Sequence, residues 1–399
     1  MSDSPVDRRV FTSYALLGSG VLALGAGGPR PAGRRPRGVV PVLPPPTGRH
    51  PVGCRTVHLV DGSRTDPWDP AIPVRELMLT VRYPARAVAE GVAAPQLPAR
   101  AAAAFGAVVP YGPLGLPAAG VDWGGVRSHS YEGAVALPGR RPVVVHGPGG
   151  GDPRGLGTCL AEDLASHGAV VISVDHPGDA AAVEFPDVRP YRSDRVRTTV
   201  LRHDPREQPA VARTVVGARV ADLRHVLDRL WGGTSLPQGL DEVLDLRRVG
   251  VYGHSVGGGA ATAVMDADRQ VRVGVNLDGF LDHPPAVPGG VAEPFPVVVN
   301  GTDRPLLLVG STRFDRARER DDAWGRVAAR SGGRVRTVYL PGGHWVFTDY
   351  AALLPALQAA GLLTAARRAA LTGPAPAAVS VAAVRRAVRG FFARHLVRC

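Results

Sequence analysis

The chain has 399 residues, 45% of them hydrophobic, which is enough to bury a full core; length alone allows one large α/β domain or two smaller ones, and the order of the motifs favours one. Its net charge of +12 is supplied without lysine and sits at the ends: residues 1–50 carry +5 and residues 351–399 carry +7, so the body between them is balanced. A basic groove across that body is therefore excluded, and with it the electrostatic footprint of a nucleic-acid-binding protein.

Taken in chain order, the first signal is Asp7-Arg8-Arg9-Val10-Phe11-Thr12 ahead of a mildly apolar run from Tyr14 to Gly28. That run is shorter than the roughly 20 residues a spanning helix needs. Residues 1–28 read as a twin-arginine-like export signal, and a secreted or extracytoplasmic location is expected. Residues 29–50, rich in Pro and Arg, read as a disordered linker, which leaves 51–399 as a single folded domain. Cys54, Cys159 and Cys399 allow at most one intramolecular disulfide. Cys54 and Cys399, at the two ends of the body, are the expected partners, with Cys159 a buried core thiol. No Cys/His grouping has zinc-ligand spacing, and neither a metal nor a cofactor is expected.

Val52–Val60 and Glu76–Tyr83 are expected as antiparallel opening strands across the turn-rich DGSRTDPWDP. The next fifty or so residues, dominated by Ala, Gly and Pro, show no period and read as accessory surface. From Arg141 the pattern alternates. A strand at Pro142–Val145, a glycine loop, a helix around Gly155–His167 and a strand at Ala169–Val174 come first. An arginine-rich insertion, Phe185–Gln208, precedes a helix ending at Leu230, and further strands are expected at Arg248–Tyr252, Val271–Leu277, Pro305–Val309 and Val335–Leu340. The fold class is α/β, a mostly parallel sheet covered by helices on both faces, whose ligands sit at the carboxyl ends of the strands.

Gly253-His254-Ser255-Val256-Gly257 lies where a strand must turn sharply into a helix. A serine at the tip of such a turn is strained, and glycines two residues either side relieve the collision. A serine hydroxyl attacks only when a histidine takes its proton and an acid fixes that histidine's tautomer. His344 in LPGGHWVF follows the last strand and supplies the base; His254 lies inside the turn, and His283 and His395 have no strand-end setting. For the acid, Asp278 directly follows an apolar strand, whereas Asp315 opens the charged run DRARERDD, which reads as the solvated face of a helix. Asp278 is preferred. The oxyanion needs backbone donors, one from Val256 and one from the loop Val145-His-Gly-Pro-Gly-Gly150, which lacks the lysine of a nucleotide loop.

Together, VGCRTVHLVDGSRTDPW, RELMLTVRYPA, HGPGG, ISVDHPGDAAAVEFPD, GHSVGGG, NLDG, PLLLVGS and PGGHWVFTDY resemble the platelet-activating-factor acetylhydrolase group of α/β-hydrolases, including its secreted bacterial members, from about Val52 to Leu396. That resemblance places the triad acid 23 residues beyond the serine, the position of Asp278, and implies Ser255 as nucleophile, His344 as base and Asp278 as its orienter. The first oxyanion donor of the group aligns with Pro148, which has no N–H, so Gly149 is the expected donor beside Val256. Related cutinase-like polyester hydrolases place the acid near Asp315 instead. The resemblance implies a serine esterase for short acyl esters, with acetyl esters of lipids or a small-molecule ester as substrate. A broader lipase or cutinase-like polyester hydrolase, and a non-catalytic binding protein on a hydrolase fold, are the alternatives. The C-terminal stretch Val379–Arg398 is amphipathic and basic, and either closes the domain or lies on an anionic membrane.

Overall fold

A computed structural model of the chain describes residues 38–86, 91–233, 236–287 and 290–396. Val52–Asp61 (β1) and Arg75–Pro84 (β2) pair antiparallel with Thr56 opposite Thr80. The Ala/Gly/Pro stretch that follows holds more order than its composition signals: Ala93–Pro95 (β3), helix Ala99–Val108 (α1) and Arg127–Glu132 (β4). β4 runs parallel to β1, with β3 antiparallel on its outer side.

The α/β alternation then begins with Arg141–Gly147 (β5), Thr158–Ser166 (α2) and Val170–Val174 (β6). The arginine-rich insertion forms a small hairpin, Ala182–Glu184 (β7) and Val196–Thr198 (β8), before the long helix Pro209–Trp231 (α3). Next come Leu244–His254 (β9), Val256–Ala267 (α4), Val271–Leu277 (β10), a two-residue ribbon of Asp282–His283 (β11) and Glu293–Pro294 (β12), and Pro296–Asn300 (α5). Leu306–Arg313 (β13), Ala317–Arg330 (α6), Val335–Gly343 (β14), Tyr350–Ala359 (α7), Ala365–Thr372 (α8) and Ala377–Leu396 (α9) complete the chain. The main sheet has the order β14-β13-β10-β9-β5-β6-β2-β1-β4-β3, parallel from β14 to β6.

Successive side chains of a strand point to opposite faces, and here both faces are covered. Val143, Val145, Ile172, Val251 and Leu308 pack with residues of α3, α4, α5 and α6. Their neighbours Val144, Val171, Tyr252 and Leu307 pack with residues of α2 and α9 on the other face. From β5 the chain passes to β6 on one side and returns to β9 on the other. The crevice of this doubly wound sheet therefore opens between the carboxyl ends of β5 and β9.

Three sequence expectations are affected. The export segment 1–28 lies outside the described residues, but the linker expectation fails from Gly38 onward. Leu43 is fully buried, His50 N–H donates to Ser166 O at 3.1 Å, and Arg385 donates to Pro45 O at 2.7 Å and Pro44 O at 3.1 Å. A proline-rich strap makes few hydrogen bonds of its own and so reads as disorder; here its carbonyls are satisfied by an arginine from the far end of the chain. Cys54 and Cys159 are free, buried thiols, and burial pushes Cys54 up to about 11, while Cys399 lies outside the described residues. Finally, α9 buries Val381, Val384, Val388, Phe391, Phe392 and Leu396 in the protein, so the apolar face on which membrane contact depended is occupied by the core. Among the described residues no helix is long and apolar enough to cross a membrane.

Candidate active site

β9 delivers Ser255 to the crevice at φ 54° and ψ −128°, a left-handed conformation that costs a non-glycine residue on the order of 1–3 kcal/mol. The surroundings enforce it: Ser255 N–H donates to Leu277 O at 2.8 Å, and its carbonyl accepts from Gly258 N–H at 2.8 Å. A Cβ on Gly253 would lie 2.2 Å from Gly257 O, and one on Gly257 would lie 2.2 Å from Pro148 O. Those two glycines let the turn close against the loop after β5.

Asp278, fully buried at the end of β10, accepts four hydrogen bonds. One oxygen takes Ser311 N–H at 2.9 Å and the Arg320 guanidinium; the other takes Ser311 Oγ–H at 2.5 Å and His344 Nδ1–H at 2.9 Å. Burial alone would raise this carboxyl, but the His344 hydrogen bond and the nearby positive charge outweigh it and hold the group below its ordinary value. An ionised Asp278 requires the proton on Nδ1 of His344, which leaves Nε2 as the acceptor. Burial, reinforced by neighbouring His254, lowers the His344 imidazole below its ordinary value against the pull of Asp278. The ring is clamped, stacked on Phe314 at 4.4 Å between centroids with 13° between planes.

The structure thus brings Asp278 and His344 together and puts Asp315 on an exposed turn. Ser255, His344, Val256 and Gly149 all line one cavity of about 270 Å³. Phe280, Phe314, Trp345 and Tyr111 wall it, and the two stretches with no clear sequence signal close it, through Val108–Leu114 and Leu201–Arg206.

Several residues of the site were not read from the sequence. Arg320 belongs to the charged run assigned to a solvated helix face, yet it is 1% exposed and turned inward onto Asp278; composition does not reveal which arginine of such a run faces in. Ser311 ends the apolar segment PLLLVGS, where no local pattern marks a serine as a partner of the acid. His254, set aside as a base, is 2% exposed and donates from Nε2 to the main-chain carbonyl of His344 at 2.9 Å. Its Nδ1 faces Asp152 Oδ2 at 3.8 Å, and neither atom has another partner.

A doubly wound sheet, a strained serine at its switch point and a histidine–carboxylate pair after later strands define an α/β-hydrolase. More narrowly, the family model for platelet-activating factor acetylhydrolase, isoform II, matches residues 119–367, and the chain belongs to that family. It is 26% identical over 260 residues to a probable 1-alkyl-2-acetylglycerophosphocholine esterase of Arthroderma benhamiae, covering 63% of this chain and 59% of that protein. It is 23% identical over 201 residues to a platelet-activating factor acetylhydrolase of Bos taurus, covering 43% of this chain and 40% of that one. The chain thus spans less than two thirds of the curated relatives it matches. Among solved structures, a ferulic acid esterase from Streptomyces cinnamoneus superimposes with a TM-score of 0.69 at 36% identity, covering 90% of this chain and 93% of that one.

Proposed function

We propose that the chain is a carboxylic ester hydrolase working through an acyl-enzyme. Ser255 attacks the ester carbonyl while His344 Nε2 takes its proton, and Asp278 holds the imidazolium that results. The tetrahedral oxyanion is met by the N–H of Val256, a first-turn amide with no intrahelical partner, and by the N–H of Gly149. His344 then returns its proton to the leaving alcohol, and water releases the acid by the same steps in reverse. The observation that carries this reading is the 2.9 Å bond between His344 and a fully buried, four-times-bonded Asp278 beside a serine on a strained turn.

Short acyl esters are the proposed substrate class, in line with the acetyl-ester names of the curated relatives. The aromatic walls of the cavity, together with the 36% identity to a ferulic acid esterase, favour a second reading, an aromatic acyl group. A panel of p-nitrophenyl acetate, butyrate and octanoate with methyl ferulate separates the two: the short-acyl reading fails if ferulate or octanoate is preferred. The mechanism is tested by Asp278→Asn against Asp315→Asn on the acetate. The first should lower turnover by about 10⁴-fold and the second hardly at all; equal mild losses would overturn the assignment of the acid. A fluorophosphonate probe should label wild type and not Ser255→Ala, and an unlabelled wild type points to a binding protein.

A further inference from the structure

Pro148 stands where the oxyanion loop would otherwise offer an N–H, and what surrounds that loop shows how it can work without one. Arg219 of α3 is fully buried. Its Nε–H donates to Asp179 Oδ2 at 2.6 Å, its Nη1–H to Pro148 O at 2.5 Å and its Nη2–H to Gly149 O at 2.9 Å. The other oxygen of Asp179 accepts Gly151 N–H at 2.8 Å. One ion pair therefore grips three consecutive peptide groups, 148–149, 149–150 and 150–151.

In a trans peptide the C=O and the following N–H point in opposite directions. With the carbonyls of Pro148 and Gly149 drawn onto Arg219, the N–H groups of Gly149 and Gly150 are turned away from α3. Both glycines line the cavity that holds Ser255, and a Cβ on Gly150 would sit 3.4 Å from Cγ1 of Val256, next to the other donor. We propose that Arg219, held by Asp179, is a positioning residue that aims the Gly149 and Gly150 N–H groups at the oxyanion. This rests on the hydrolase reading above. A run of glycines left to itself samples many backbone states, and donors that must be ordered during the reaction stabilise the transition state less than donors fixed beforehand. Only a guanidinium supplies three directed donors in one plane. Lysine would keep the charge beside Asp179 and lose the bridge between the two carbonyls.

The test is Arg219→Lys assayed beside wild type, with the affinity of a trifluoromethyl ketone, whose hemiketal adduct with Ser255 carries the oxyanion, compared with that of the matching alcohol. The expected result is a kcat lower by roughly ten- to hundredfold with KM little changed. Ketone affinity should fall by the same factor and alcohol affinity should hold. A structural role alone would weaken both ligands together. Should Arg219→Lys not fold, Asp179→Asn, which still offers an oxygen to Gly151 N–H, should show the same ketone-selective loss in smaller measure. Wild-type turnover and ketone affinity retained in the variants overturn the positioning role and leave the hydrolase standing. A wild-type chain that neither cleaves an ester nor binds the ketone overturns both.

Discussion

His344 meets two opposed influences, and their balance fixes the pH at which the relay works. Burial and His254 favour the neutral ring, Asp278 favours the charged one, and the net displacement is below the ordinary 6.5. A base with a lowered pKa stays unprotonated, and so competent, further into acid. The acid limb of kcat/KM is therefore expected below pH 6.5 in wild type. In Asp278→Asn the pull toward the charged ring is removed, and the limb of the residual activity should move further down. Initial rates on p-nitrophenyl acetate across mildly acidic to mildly alkaline buffers check this, and a limb above neutrality in wild type contradicts it.

Secondary elements reveal themselves in sequence when one physical demand dominates their composition. Val271–Leu277 is legible at its observed bounds because apolar Val271, Val273, Val275 and Leu277 alternate along it and of its residues only Arg272 is exposed. β4 has the opposite character. Its RSHSYE is polar, and it holds its place through Ser130 Oγ–H on Glu162 at 2.5 Å and His129 N–H on the same carboxylate at 2.8 Å, partners 32 and 33 residues away. No local pattern announces such a strand. The serine, acid and base of the proposed mechanism are legible because turn chemistry and strand ends mark them; Arg219 and Arg320 are not, because only the packed helix decides which side of it meets the loop. α9 shows both cases, since its period was plain and the surface it meets was not. Phe392, 4% exposed between sheet and helix, should cost about 3–5 kcal/mol when replaced by alanine. The exposed Arg386 and Arg394 should cost within about 0.5 kcal/mol. Urea unfolding of the three variants measures this, and comparable small losses for all would mean that α9 is not part of the core. Truncation after Thr372 should for the same reason give an aggregating chain.

At the scale of the whole molecule the balanced body conceals many groups whose protonation folding forbids. His146, at the end of β5, is 4% exposed, stacked on Tyr252 at 4.5 Å and hydrogen-bonded through Nδ1 to Ser173 Oγ at 3.2 Å. Burial, with positive Arg82 nearby, lowers it from 6.5 to about 3. His176 and His344 are lowered as well. Below pH 6.5 the unfolded chain binds protons at these sites that the folded chain refuses, so stability present above that pH is lost as the pH falls. His146 alone accounts for up to about 1.4 kcal/mol per pH unit over that window. A second loss follows lower down. Asp61 and Glu76 are held at about 2 against ordinary values of 3.8 and 4.5, burial being outweighed by Ser63 and Arg64 for the first and by His58 and Arg192 for the second. Their contribution is complete above those ordinary values and disappears toward about 2. Glu162 and Asp349 are raised by burial, so the folded chain takes up their protons above the ordinary carboxyl values, where the unfolded chain is still ionised; they offset part of the histidine loss and do not bear on this second stage. Denaturant midpoints should therefore start to fall near pH 6.5, well before Asp61 and Glu76 titrate, and His146→Gln should reduce that slope by about one proton. A profile flat down to pH 5 in wild type and left unchanged by His146→Gln would show that His146 takes up its proton without unfolding.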